Sequence, residues 1–237
     1  RVGHRPVENT LSVTVSESLL PVLPEVLARI KNLFDLYCEP EAVYETLQVM
    51  NTLQPGLCVL GTRLPGCFNV FEMSVRAVLG QQITVKAAST LAARLVAAYG
   101  TQVQTGIGGL THSFPAPAAI LALGENISGH LGKLGIISAR ANTIYQLARV
   151  LADEKNDFGF CGNPEEEMQK LQSIRGIGSW TAQYIAMRAM GWPDAFLPTD
   201  AGIKKALPDH TPKELQALSE AWRPWRSYAT VNLWNTL

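Results

Sequence analysis

Apolar positions recur along most of this chain at the three- and four-residue spacing of a helix. In residues 24–37, Val26, Leu27, Ile30, Leu33 and Phe34 share one face, and Pro24 sits where the first helical turn would begin. A second helix follows Pro40, with Val43, Leu47 and Met50 turned inward, and Gln54-Pro55-Gly56 marks a turn. The break at Arg63-Leu64-Pro65-Gly66 precedes an amphipathic helix over residues 70–79. Gly80-Gln81-Gln82 interrupts it, and a further helix runs to about Tyr99, with Gly100 placed to end it. Residues 101–117 are rich in Gly, Thr and Pro and read as loop. Helical spacing resumes from about Ala118, again over residues 139–152, and from Leu171 to the end, broken at Gly176, Gly178, Pro193, Pro198, Pro208 and Pro212. Only near the N-terminus does the period change to two: in residues 9–16, Leu11, Val13 and Val15 alternate with polar residues, as in a strand with one wet face. The pattern predicts a mostly α protein with a small β-containing piece at its N-terminus and no internal repeat.

Composition narrows this. Charged residues are 17% and apolar residues 47%, a globular rather than a disordered balance. The formal net charge is zero, so any nucleic-acid contact must rest on local charge or backbone dipoles. Cys38, Cys58, Cys67 and Cys161 form no C-x-x-C pair and fit no ferredoxin-like run, which speaks against zinc and iron–sulfur sites and for reduced, packed thiols of a cytoplasmic protein. No apolar run approaches the ~20 residues of a membrane span, and no signal peptide is visible. Arg1 is not an initiator Met, so the chain reads as a processed or excised piece. The acidic stretch of residues 153–167 carries Asp153, Glu154, Asp157, Glu165, Glu166 and Glu167. It reads as a solvated loop leading into a helix whose first turn bears carboxylates.

Candidate chemistry concentrates in residues 171–200. Gly176 and Gly178 allow a tight hairpin and close backbone approach, and the next helix begins near Ser179. Its free N–H groups and positive dipole end suit a phosphate without side-chain charge. Lys170, Arg175, Arg188, Lys204 and Lys205 outnumber Asp194 and Asp200 in this region. An ordinary αα-hairpin with glycine in its turn would look the same. Trp180 and Tyr184, four apart, share a helix face, either as core packing or as an aromatic wall for a base. Asp200, after Pro198 and Thr199, is either a plain N-cap or a carboxylate held ionised at a helix start; the two roles are compatible.

Taken together these parts resemble the helix-hairpin-helix DNA glycosylase superfamily, whose signature is a glycine hairpin, a helix, then Pro-x-Asp about 22 residues after the second hairpin glycine. The likeness extends to Leu33-Phe34-Asp35-Leu36, Cys38, Arg63-Leu64-Pro65-Gly66-Cys67, Phe71-Glu72, Val75-Arg76-Ala77, Leu79-Gly80-Gln81, Trp222, the run Arg223-Pro224-Trp225-Arg226-Ser227-Tyr228, and Trp234. It covers nearly the whole chain and is specific to the 3-methyladenine DNA glycosylase II branch.

The resemblance implies two helical lobes with a small, partial N-terminal α+β domain in residues 1–62 and a helical catalytic region in residues 63–237, its helix-hairpin-helix at about 164–190. It implies that Asp200 is the catalytic carboxylate and that Trp180, Tyr184 and Trp234 form the base pocket. Gly176, Ile177, Gly178, Ser179 and Gln82 would contact DNA. The main-chain carbonyls of Gln172, Ile174 and Ile177 would hold a monovalent cation, Na+ or K+, with no cofactor needed for the chemistry. The implied partner is double-stranded DNA containing alkylated purines, such as 3-methyladenine and 7-methylguanine, acted on by a monomer that flips and excises the base and has no membrane partner. Relatives that also cleave the strand carry Lys where Trp180 stands, so no lyase activity is expected. Three departures stand out. Thr199 occupies a position where relatives carry a second Asp. Gln82 replaces an apolar wedge. The N-terminal domain is shorter than the family's. The competing readings are a non-catalytic DNA-binding helix-hairpin-helix module and a glycosylase for deaminated or oxidised bases.

Overall fold

The structure, a computed structural model, describes residues 1–152 and 163–237. Asp153, Glu154, Asp157 and Cys161 therefore lie outside the described residues. Among the described residues there are twelve α-helices and a single two-stranded sheet.

The N-terminal alternation is real but belongs to a hairpin. β2 (Thr10–Val13) pairs antiparallel with β1 (Val2–Arg5), Val2 opposite Val13 and His4 opposite Leu11. β1 escapes the sequence pattern because its four residues, Val-Gly-His-Arg, hold one apolar side chain and no alternation. Helix α1 (Leu23–Leu33) stops one turn short of the apolar pattern. The chain leaves it because Asp35 adopts φ +53° and its Oδ2 accepts the Leu64 backbone N–H at 2.8 Å. This bond ties the end of α1 to the break at Arg63–Gly66. α2 (Pro40–Leu47) follows, with Val43 and Leu47 buried as the spacing requires.

α3 (Val70–Leu79) has the predicted bounds, because Asn69 caps it by accepting the Glu72 N–H at 2.8 Å and because its apolar face is fully committed to the core. α4 (Val85–Tyr99) starts at the Thr84 cap and closes at Gly100. Residues 101–116 hold no helix, as expected, and α5 (Pro117–Leu121), α6 (Ile127–Gly132) and α7 (Ser138–Leu151) complete the first lobe. Its core is Val75, Val78 and Leu79 of α3, Leu95 of α4, Leu131, Ile144 and Leu147.

The rest of the described chain forms α8 (Pro164–Ser173), α9 (Ser179–Ala189), α10 (Ala201–Ala206), α11 (Pro212–Ser219) and α12 (Arg226–Trp234). Glu165, Glu166 and Glu167 occupy the first turn of α8, where the helix dipole favours them. A second core joins Val43, Leu47, Met50 and Leu57 to Phe196, Ile203, Leu215, Trp222 and Leu233. α9 belongs to both: Ala182, Ile185 and Ala189 face the first core and Met187 the second. These are the two lobes the resemblance implied, and α9 is the wall they share.

Segment 190–200 is lashed to α12. Asp194 is buried and meets the buried Arg226 side-on, Oδ1 to Nε at 2.7 Å and Oδ2 to Nη2 at 2.9 Å, while Arg226 Nη2 also donates to the Asp194 carbonyl. The Ser227 hydroxyl accepts the Ala195 N–H at 3.1 Å. A buried pair of this kind fixes geometry more than it adds stability. Here it sets the approach of the chain to Asp200. Cys38, Cys58 and Cys67 are free thiols, and burial pushes the Cys67 thiol up to about 11. Cys58 is buried, and Cys38 and Cys67 are partly buried.

Candidate active site

α8 ends at Ser173, and the chain turns through Ile174-Arg175-Gly176-Ile177-Gly178 into α9. Ile174 and Ile177 bury their side chains in the first core. The turn is therefore anchored by its apolar residues and presents backbone outward. Gly176 has φ +97°. Thr143 of α7 supports it from below, its hydroxyl donating to the Arg175 carbonyl at 2.9 Å. Gly178 is the N-cap of α9 and makes no side-chain cap, so the first N–H groups of α9 point outward, unmet by any local side chain. Ser179 follows, exposed.

Asp200 is the N-cap of α10. One carboxylate oxygen, Oδ1, accepts the Gly202 N–H at 2.9 Å, the Ile203 N–H at 3.1 Å and the Trp234 indole N–H at 2.8 Å. The other, Oδ2, accepts the Trp180 indole N–H at 3.1 Å and keeps acceptor capacity to spare. Asp200 is only 9% exposed, yet among the described residues no Lys or Arg pairs with it. It is a carboxylate fixed by neutral donors, which leaves its negative charge uncompensated. The N-cap reading holds, and the same side chain also faces a cavity.

That cavity has a volume of about 1000 Å³. One wall is the rim loop Gly80–Val85, including Gln82; the other is formed by Gly176, Gly178, Trp180, Thr181, Thr199 and Asp200. The volume is at the upper end of what small-molecule sites offer. Tyr184 stacks on Trp180, ring centroids 5.2 Å apart and 7° from parallel, and meets Trp234 at 6.4 Å. The three aromatic residues are thus brought together with Asp200, but in unequal roles. Trp180 lines the cavity, Tyr184 backs it, and Trp234 reaches the site through its bond to the carboxylate.

Gln82 stands on the rim, exposed, at φ +54°. Gln172 lies in the last turn of α8, where carbonyls lack intrahelical partners, and the Ile174 carbonyl accepts the Ile177 N–H at 3.0 Å. Sequence reasoning gave no role to Gln81, Arg140, Thr143 or Thr181. Gln81 bridges the two walls, donating to the Gly176 carbonyl at 3.0 Å and to the Thr181 hydroxyl at 2.9 Å. The signals for it were its place in the polar interruption Gly80-Gln81-Gln82 and in the Leu79-Gly80-Gln81 part of the family likeness, neither of which gave it a role.

A glycine hairpin feeding a helix N-terminus, set across a nucleoside-sized cavity from a rim loop and holding an unpaired carboxylate, defines a helix-hairpin-helix protein built to act on a nucleic acid. The comparisons with known proteins agree. Residues 75–225 match the family "HhH-GPD superfamily base excision DNA repair protein", and residues 1–69 match the "AlkA N-terminal domain". The chain belongs to the HhH-GPD superfamily of base excision DNA repair proteins. It is 37% identical over 228 residues to DNA-3-methyladenine glycosylase 2 of Escherichia coli, spanning 96% of this chain and 77% of that one. It is 42% identical over 215 residues to the "Probable bifunctional transcriptional activator/DNA repair enzyme AlkA" of Mycobacterium tuberculosis, spanning 89% of this chain but 42% of that protein. Its fold superposes on the 3-methyladenine DNA glycosylase of Archaeoglobus fulgidus with a TM-score of 0.75 at 22% identity, covering 95% of this chain and 77% of that one. Among the described residues no helix is long and apolar enough to cross a membrane, and none of the His, Cys, Asp and Glu side chains cluster as a metal site.

Proposed function

We propose that the chain is a monofunctional DNA glycosylase that removes alkylated purines from double-stranded DNA in base excision repair, working as a monomer. The observation that carries this reading is Asp200. Its charge is unpaired, two indole N–H groups and two backbone N–H groups fix its orientation, and it borders a cavity large enough for a flipped nucleoside. A purine alkylated on N3 or N7 carries positive charge, so it departs without needing a general acid. The C1′–N bond breaks, its electron pair leaves with the base, and the positive charge that develops on the sugar falls beside the carboxylate. Water then adds to C1′ and releases its proton to Asp200 or to solvent. The open face of Trp180 attracts a cationic purine more than a neutral one.

Strand cleavage by this protein would need an amine at the sugar. The residue two positions after Gly178 is Trp180, whose N–H is committed to Asp200. At the hairpin, the carbonyls of Gln172, Ile174 and Ile177 suit an alkali cation, because they stand at or just beyond the negative end of α8 and a carbonyl with one lone pair used keeps another. When bound, that ion would supply positive charge toward a phosphate at the turn.

The test is release of 3-methyladenine, 7-methylguanine, hypoxanthine, 8-oxoguanine and uracil from defined duplexes, with the strands examined for cleavage before alkali treatment. Release of the alkylated purines, with the strand intact, is the expected outcome. Duplex binding without release of any base would favour a binding module, and preferential release of hypoxanthine, uracil or 8-oxoguanine would reassign the substrate.

Trp234→Phe isolates the role of the second indole. It keeps most of the ring and deletes the N–H donated to Oδ1. A hydrogen bond to a charged group is worth about 1.5–3 kcal/mol, so base release should slow by roughly tenfold to a hundredfold. A single-turnover rate within about twofold of wild type would show that the backbone bonds and the Trp180 N–H hold the carboxylate without Trp234.

A further inference from the structure

The two walls of the cavity come from segments about a hundred residues apart in sequence, and something must set the distance between them. One face of α7 reaches both. Arg140 donates to the Gln81 carbonyl on the rim loop, and Thr143, one turn further on, donates to the Arg175 carbonyl on the hairpin. Gln81 closes the circuit with its side-chain amide, which bonds the Gly176 carbonyl and the Thr181 hydroxyl. Thr181 neighbours Trp180, and Trp180 donates to Asp200. Gln82, next in the chain, sits at φ +54°, a conformation that costs a non-glycine residue and persists only where its surroundings impose it. The bonds made by Gln81 supply that restraint.

We propose that Gln81 is a positioning residue: its side-chain amide, with its backbone carbonyl held by Arg140, keeps the rim loop at a set distance from the hairpin and so keeps the cavity open and Gln82 presented before DNA arrives. The proposal rests on the reading of the cavity as a nucleotide site. It places no demand on the chemistry at Asp200, which Gln81 does not touch. Without the brace the rim samples other positions, and the apparent affinity for DNA falls with the fraction of molecules that retain the competent one.

The side chain must donate twice, and this separates bracing from packing. Gln81→Glu keeps the shape but puts a carboxylate oxygen against the Gly176 carbonyl. Gln81→Met keeps the bulk and removes the donor. Gln81→Ala removes both. The measurements are the affinity for a duplex carrying an uncleavable abasic-site analogue, and the half-saturating concentration and saturated rate of 7-methylguanine release under single turnover. About tenfold weaker binding is expected for Gln81→Met and Gln81→Ala, and a larger loss for Gln81→Glu, with the saturated rate of each within about threefold of wild type.

Glu binding as tightly as Gln would overturn the proposal, because packing alone would then suffice. So would a fall confined to the saturated rate with binding unchanged. If Gln81→Glu does not fold, judged by its melting transition, Gln81→Met decides the matter: wild-type affinity in that variant also overturns the brace. Should the wild-type protein bind the abasic duplex yet release no alkylated base, the glycosylase reading fails, while the binding series still tests Gln81.

Discussion

Asp200→Asn is expected to abolish most base release while leaving the protein folded and able to bind duplex. The amide oxygen can still accept from Gly202, Ile203 and Trp234, and Asn caps helices about as well as Asp, so α10 keeps its N-terminus. What changes is the other half of the group. An NH2 now faces the Trp180 indole N–H, donor against donor, and the negative charge beside the sugar is gone. Removing a preorganised electrostatic partner of a transition state costs about 10²–10³ in rate, and loss of a full charge in a site this buried should reach the upper end of that range. Single-turnover release of 7-methylguanine and affinity for an abasic-analogue duplex, measured together, check both halves of the expectation. A variant that binds and still cleaves within about tenfold of wild type would remove Asp200 from the mechanism. One that loses both would place the effect on folding.

How much of this was readable beforehand depends on the range of the forces involved. α3 was legible to the residue because its apolar period, its Asn69 cap and its stop at Gly80 all act within one or two turns. The end of α1 was not, since it is set by the bond from Leu64 to Asp35, nearly thirty positions away. β1 was missed because a short, half-wet strand is defined by its partner rather than by its own residues. At the site, Asp200 and the hairpin glycines could be picked out because their residue types are tied to local backbone demands. Trp180, Tyr184 and Trp234 could be named as a group but not assigned: which ring lines the cavity and which N–H holds the carboxylate follows from the packing of α12 against α10, visible only in three dimensions. Gln81 is the extreme case. Its two acceptors lie 95 and 100 positions on, and its local motif does not say which partners its amide takes.

The hairpin offers the second large effect, because its two glycines should fail in different ways. Gly176 has φ +97°, and a Cβ built there would stand 2.1 Å from the Thr143 hydroxyl, the group that supports the turn from α7. Alanine must therefore pay in backbone strain and also displace Thr143 from the Arg175 carbonyl. The combined cost should be about 2–4 kcal/mol, a fall in Tm of roughly 5–15 °C for a chain of this size. DNA binding falls with it, since the turn that presents the α9 N-terminus is the part that gives way. Gly178 is the contrast. It sits at φ −86°, which any residue adopts, and a Cβ there would meet nothing within 4 Å. Gly178→Ala should leave Tm within about 2 °C of wild type, yet its methyl group enters the space where a phosphate would approach the first N–H groups of α9. Its expected signature is weaker duplex binding with unchanged stability. Thermal melts alongside a binding titration separate the two cases. A Gly178→Ala protein that melts and binds like wild type would mean that the phosphate is not held at this turn, and the hairpin would then be a structural connection between α8 and α9.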